Sequence, residues 1–172
     1  RMGTVSNPDS INPFVGFSAL SYILWTETYP TLVQYDESYT IVGDLADSWE
    51  TSADGKAWTF KLAPNAKWSD GQPITADDAA FTGNLIIEYA DGPAAMLAPF
   101  LAHATKVEAP DPTTVVITYD KAVANVLPQL QQFFILPRHV VEPIVGAKGK
   151  GLKKWDPMAA GAQVGGGSFY IE

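Results

Sequence analysis

Leu45-Ala46-Asp47-Ser48-Trp49-Glu50, then Ser52-Ala53-Asp54-Gly55-Lys56, then Trp58-Thr59-Phe60-Lys61-Leu62 is the stretch that decides the fold. Trp58, Phe60 and Leu62 alternate with Thr59 and Lys61, the period-two pattern of a strand with one buried face. Asp54-Gly55 between two such runs is a strong hairpin signal, because glycine accepts the positive φ that tight hairpin turns demand. Downstream, Asp70-Gly71 marks a second turn, closed by Pro73. Thr75-Ala76-Asp77-Asp78 then reads as a helix N-terminus, with Thr75 as cap and two acids at the positive end of the helix dipole. Phe81, Leu85 and Tyr89, spaced by four, are the expected buried stripe, and Asp91-Gly92-Pro93 stops the helix. A second hairpin follows: Lys106 to Ala109, a turn at Pro110-Asp111-Pro112, then Thr114 to Tyr119 with Val115, Ile117 and Tyr119 on one face.

Toward the N-terminus, Arg1 to Val5 is expected to form a short strand, and Asn7-Pro8-Asp9-Ser10 and Asn12-Pro13 read as turns. A helix is expected from Ser18 or Ser21, with Leu20, Leu24 and Thr28 on one face and Ile23 and Trp25 beside it, and Pro30 is expected to end or kink it. Toward the C-terminus, a short helix is expected over 122–131. Ile135-Leu136-Pro137-Arg138-His139-Val140 reads as an extended entry to another. Gly146 to Gly151 and Gly161 to Gly167 are expected to be flexible, and Phe169-Tyr170-Ile171 to be a strand. A terminal strand after a glycine-rich crossing suggests that its partner structure lies elsewhere in a longer protein.

The chain has 172 residues, 47% of them hydrophobic and 17% charged, which suits a globular core and excludes a disordered tail. Its net charge of −8 argues against nucleic acid, whose phosphates need Lys/Arg clusters. Lys148, Lys150, Lys153 and Lys154 are diluted by glycines and read as a solvated loop. Without cysteine there is no disulfide, thiolate metal site or cysteine nucleophile. The apolar run Ala94 to Ala104 is interrupted by Pro99 and His103 and is too short for a bilayer, which needs about 20 residues. Arg1-Met2-Gly3-Thr4 carries no leader pattern; either none is encoded or the chain starts after it.

No constellation for catalysis is present. There is no Gly-x-Ser-x-Gly, no His-Glu-x-x-His, and Gly165-Gly166-Gly167 precedes a strand rather than a helix, so it is not a phosphate loop. Trp49, Trp58 and Trp68 sit where aromatic side chains pack a core, although stacking platforms for a ligand are the alternative. Asp77 and Asp78 read as helix-start acids rather than metal or catalytic carboxylates, and Asp47, Asp54 and Asp70 as turn residues. His103 and His139 lack a sequence neighbour at metal-ligand spacing. No cofactor and no metal are expected.

The run from Leu45 to Glu50, the Asp54-Gly55 turn, Trp58 to Leu62, and Ala66-Lys67-Trp68-Ser69-Asp70-Gly71-Gln72-Pro73-Ile74-Thr75-Ala76-Asp77-Asp78 together resemble the family 5 bacterial extracellular solute-binding proteins. Gly3 to Pro13, Ile135 to Val140 and Gly165 to Tyr170 resemble further segments of that family in the same order. In the last, Gly166 and Ser168 stand where the family usually has Thr and Pro. The resemblance implies an α+β fold: a mixed, largely antiparallel sheet with packed helices, part of the first lobe of a type II periplasmic-binding-protein-like (class C) fold. It implies that 1–44 start the first lobe, 45–164 form a subdomain inserted in it, and 165–172 are a return strand, with the rest of a longer protein beyond.

The implied function is capture of a peptide or other small solute between two lobes, for delivery to an ABC permease. The implied setting is extracytoplasmic, periplasmic or as a surface lipoprotein, and monomeric. By position, the family's cleft loop falls on Gly16 to Tyr22, which makes Phe17, Ser18, Ala19 and Tyr22 the candidate ligand-binding residues. Backbone N–H groups at a helix start can receive a carboxylate or carbonyl, and Phe17 and Tyr22 add apolar surface. The alternative is that this loop packs wholly into the core. A glycan or metal chelate is the alternative solute; a hydrolase lobe and a sensing module of a regulator are the readings from other classes.

Overall fold

The computed structural model describes residues 7–159 and 163–169. In chain order its elements are α1 (Ala19–Thr28), β1 (Val33–Tyr35), β2 (Ile41–Gly43), β3 (Ala46–Thr51), β4 (Ala57–Leu62), α2 (Ala76–Glu88), β5 (Ala104–Asp111), β6 (Thr114–Tyr119), α3 (Val126–Leu130) and α4 (Arg138–Val141). No helix among the described residues is long and apolar enough to cross a membrane. The expected strands at Arg1 to Val5 and Phe169 to Ile171 fall wholly or largely outside the described residues.

The Asp54-Gly55 turn joins β3 to β4 as expected, and the four-stranded antiparallel sheet has the order β3-β4-β6-β5. Trp49 pairs with Phe60 across β3 and β4, and the Trp58 and Phe60 rings lie 6.4 Å apart and nearly parallel, so these aromatics pack one sheet face. Phe60, Val115, Ile117 and Tyr119 are buried, as the alternation requires. β1 and β2 form a separate two-stranded ribbon.

Helix α2 packs on β5 and β6. Its buried face is Ala79, Thr82, Gly83, Leu85 and Ile86, rotated from the expected Phe81–Leu85–Tyr89 stripe. The reason is polar. Asn84 donates to the Val107 carbonyl at 2.7 Å and accepts the Val107 amide at 3.0 Å, and Thr82 accepts the Leu136 amide at 3.0 Å. Buried backbone groups must be paired, so the helix turns Thr82 inward and sets the exposed Asn84 against the edge of β5, which leaves Phe81 and Tyr89 half-exposed.

The helix start is built on a carboxylate. Asp78, 5% exposed, accepts the Thr75 amide at 2.9 Å through Oδ2 and the Arg138 amide at 3.0 Å through Oδ1. It therefore caps α2 and fixes the start of α4 at the same time.

Other local expectations shift. On α1 the buried residues are Ser21, Trp25 and Thr28 rather than Leu20 and Leu24. Trp25 packs against Tyr22 and Phe134, and its indole N–H donates to the Ile11 carbonyl at 2.9 Å. The expected helix over 122–131 shrinks to α3, because Pro128 cannot sit deep in a helix without clashing with the carbonyl four residues earlier. The stretch from Gly146 to Gly151 is a set of hydrogen-bonded turns rather than a loose linker; Gly151 donates to Val145 at 3.0 Å. Residues 165–167, also expected to be flexible, dock on the end of α1. The Gly166 and Gly167 amides both donate to the Thr28 carbonyl at 2.9 Å, and a Cβ on Gly166 would lie 2.7 Å from the Ile74 side chain.

Replacing Asp78 with Ala leaves two amides without their acceptor, a loss of about 1–3 kcal/mol. The urea midpoint followed by tryptophan fluorescence should fall accordingly, while Asp77→Ala, at an exposed neighbour, should shift it by no more than about 0.5 kcal/mol.

Candidate functional site

The loop before α1 is anchored from both sides. Buried Asn12 donates to the Leu152 and Trp155 carbonyls at 2.8 Å each, and its own carbonyl accepts the Val15 and Gly16 amides at 3.0 Å. Gly16 passes so close to Trp25 that a Cβ would lie 2.6 Å from the indole and 2.7 Å from the Ser10 carbonyl. Only glycine fits there, and the chain that follows is held in place.

That chain presents Phe17, whose residue is 70% exposed. Ser18 is the N-cap of α1, with Oγ accepting the Ser21 amide at 3.2 Å. Ala19 is exposed, and Tyr22 is half-buried, its ring 4.8 Å from Trp25 and 6.1 Å from Phe100. The four sequence candidates thus share one loop and helix turn. Phe17 and Ala19 face solvent, while Ser18 and Tyr22 form the base beneath them. The loop is not packed wholly into the core.

Asp9 takes two of the amides at this loop, those before and at the N-cap of α1, while the Ala19 and Leu20 amides have no partner among the described hydrogen bonds. Asp9 Oδ2 accepts the Phe17 amide at 2.8 Å, and Oδ1 accepts the Ser18 amide at 3.0 Å and the Ser21 hydroxyl at 2.6 Å. The Ser18 and Ser21 hydroxyls, with the Phe17 and Ser18 amides, hold the Asp9 carboxyl well below the usual carboxylate range. Burial, and then the charge of Asp9, push the Tyr22 phenol up, so the two side chains sense each other. Sequence reading took Asp9 for a turn residue; an acid eight to twelve residues before its partners leaves no periodic trace.

A second concavity lies between α2 and α4, a groove of about 450 Å³ over Phe81, Leu85 and Tyr89 with Asp77, Arg138 and Glu142 at its rim. The Arg138 guanidinium lies 5.9 Å from the Phe81 ring centre and donates to both Glu142 oxygens, at 3.1 and 3.0 Å. Beside it, His139 Nε2 lies 2.7 Å from Asp70 Oδ2, and elsewhere His103 Nδ1 lies 3.4 Å from Asp120. Folding brings each histidine an acid that sequence spacing did not reveal. Trp68 is buried, and Trp49 and Trp58 are half-buried on the sheet, so all three serve the core.

Residues 40–172 match the family model described as bacterial extracellular solute-binding proteins, family 5, middle. The chain belongs to that family. A Brucella ovis protein named as an ABC transporter peptide-binding protein is 37% identical over 150 residues, 83% of this chain and 28% of its own length. Haemophilus influenzae OppA, solved in complex with the peptide RPPGFSPFR, superimposes with a TM-score of 0.72 at 28% identity, covering 84% of this chain and 32% of that one. AgaA of A. tumefaciens R10, solved with agropinic acid, gives a TM-score of 0.79 at 25% identity, covering 97% of this chain and 32% of that one. The α+β architecture is therefore part of the family 5 solute-binding fold. The chain spans about 28% of the length of the Brucella relative.

Asp9 and Asp111 set a pH dependence. The Thr114 hydroxyl, with the Thr113 amide and hydroxyl, lowers Asp111 to about 2, against an ordinary value of 3.8. Carboxylates that ionise more readily when folded stabilise the fold above their unfolded pKa and lose that contribution as pH falls. Urea midpoints should therefore decline from about pH 4 toward pH 2, and the Asp9→Asn/Asp111→Asn double variant should decline less steeply. Parallel profiles for the two proteins would contradict this assignment.

Proposed function

We propose that this chain supplies one wall of the solute cleft in the binding component of an ABC importer, with Phe17, Ser18, Ala19 and Tyr22 lining that wall. The observation that carries this reading is the exposure of Phe17 on a loop whose backbone is held by Asp9 and Asn12. A loop already fixed in place loses little conformational freedom when a ligand covers its exposed apolar side chain. The relatives' names support a solute-binding rather than catalytic role.

In this reading residues 1–44 begin the first lobe, 45–164 form the subdomain inserted in it, and 165–172 return to it. A peptide or other small solute is trapped as a second lobe closes, and closure shifts the population toward the state that a membrane permease engages. The protein works outside the cytoplasm as a monomer. The agropinic acid complex of AgaA supports a second reading, in which the solute is a small non-peptide compound.

In the full-length protein, Phe17→Ala should weaken solute binding by about tenfold in calorimetry, the scale of one lost aromatic contact. Unchanged affinity would remove Phe17 from the cleft. The 172-residue chain alone lacks most of the contacts that bury a ligand, so titration with a peptide mixture should show no sub-micromolar isotherm.

A further inference from the structure

Helix α1 carries apolar side chains on two sides. One side, Ser21, Trp25 and Thr28, faces the core, with Trp25 against Phe134. The other is the stripe Leu20, Ile23, Leu24 and Glu27, spaced by three and four. Hydrophobic periodicity marks this second side for burial, yet Ile23 is 48% exposed and Leu20 and Leu24 are only half-buried. Glu27 is the one charged residue in the ten of this helix. A surface helix puts charged and polar residues on its outer face, whereas a helix with apolar residues on both sides is built to be covered twice.

The second cover is identified by what arrives at the end of the stripe. The Gly166 and Gly167 amides donate to the Thr28 carbonyl at 2.9 Å each, and the Phe169 amide donates to the Glu27 carbonyl at 3.0 Å. The backbone of 165–169 is thereby fastened to the last turn of α1, and Phe169 is itself 62% exposed there. The relatives are much longer than this chain. A segment tethered at that turn meets the stripe at an effective concentration on the order of millimolar, which a second copy or a separate partner does not match. A face kept open for a passing partner would also leave Ile23 and Leu24 bare between encounters, a liability that soluble proteins keep small.

We infer that the Leu20–Ile23–Leu24 face of α1 is the seat of the chain that follows residue 172 in the full-length protein, which packs an apolar stretch along the helix. Helix α1 is then held between two bodies. Phe100 and Phe134 reach its Tyr22 and Trp25, and the onward chain covers the other side. The inference does not depend on residues 17–22 lining a cleft, because helical spacing sets Tyr22 on the other flank from Leu20 and Leu24.

The test replaces Ile23 with the photoreactive residue p-benzoylphenylalanine in the full-length protein. After irradiation and digestion, mass spectrometry should map the crosslinks to a segment of the same chain beyond residue 172. Crosslinks confined to residues up to 172, crosslinked dimers, or no crosslink at all would overturn the inference. Hydroxyl-radical labelling of the unaltered full-length protein gives a readout that needs no variant. Ile23 and Leu24 should be oxidised about tenfold less than in the urea-unfolded protein, as side chains shut away from solvent are. That protection should be the same at low and high protein concentration, and with and without added peptide. Labelling at the unfolded level, protection only at high concentration, or protection only with peptide would each overturn the inference. None of these outcomes bears on Phe17, whose own variant tests the cleft wall.

Discussion

The polar seam along α2 is the constraint on which the rest of the structure depends. Asp78 and Thr82 face inward, and the exposed Asn84 reaches across to β5, from a helix that would gain more apolar burial by turning Phe81 inward. They do so because three pieces of backbone would otherwise be orphaned: the first turn of α2 itself, the extended segment before α4, and the middle of edge strand β5. An unpaired buried amide costs about as much as a well-packed methyl group or two returns. Satisfying several amides at once therefore decides the rotation of the helix. Once α2 is set, Phe81 and Tyr89 must lie at the surface, and the groove between α2 and α4 follows from that rotation.

The hairpins, the turns and the capped start of α2 were legible in the sequence because each is encoded by residues within a few positions of one another. Asp54-Gly55, the alternation of Trp58, Phe60 and Leu62, and Thr75 with Asp78 are of this kind. The buried faces of α1 and α2 were less legible. Periodicity counts hydrophobicity, and on both helices a polar residue displaced an apolar one from the interior because it had a distant partner. The boundaries of α3 needed only the position of Pro128, and the ordering of Gly146 to Gly151 needed the three-dimensional turns.

The candidate site divides in the same way. Resemblance located Phe17 to Tyr22, and the N-capping role of Ser18 follows from local rules. The role of Asp9 does not. It lies in a turn eight residues before Phe17 and is brought back by Asn12, whose side chain reaches carbonyls 140 and 143 positions on, at Leu152 and Trp155. The chemistry of the loop hangs on that return. Residue types alone pointed to backbone amides at a helix start, and the fold sets an aspartate carboxylate beside them.

The two ends of α1 are held by the far end of the chain. Asn12 binds the 152–155 turn near the start of the helix, and Gly166, Gly167 and Phe169 donate to the Thr28 and Glu27 carbonyls at its finish. Those carbonyls belong to the last turn of α1, where helix geometry leaves acceptors unpaired. The glycines reach them because a side chain would collide, on Gly166 with Ile74 and Trp68 and on Gly167 with the Glu27 carbonyl. A short helix bearing the candidate wall is thus clamped at both termini by segments that close the fold last in sequence. Its orientation is a property of the whole described structure rather than of its own residues. A substitution in the 152–155 turn or at 165–167 acts on Phe17 through this clamp without touching it, so distance from the loop is a poor guide to which positions control it.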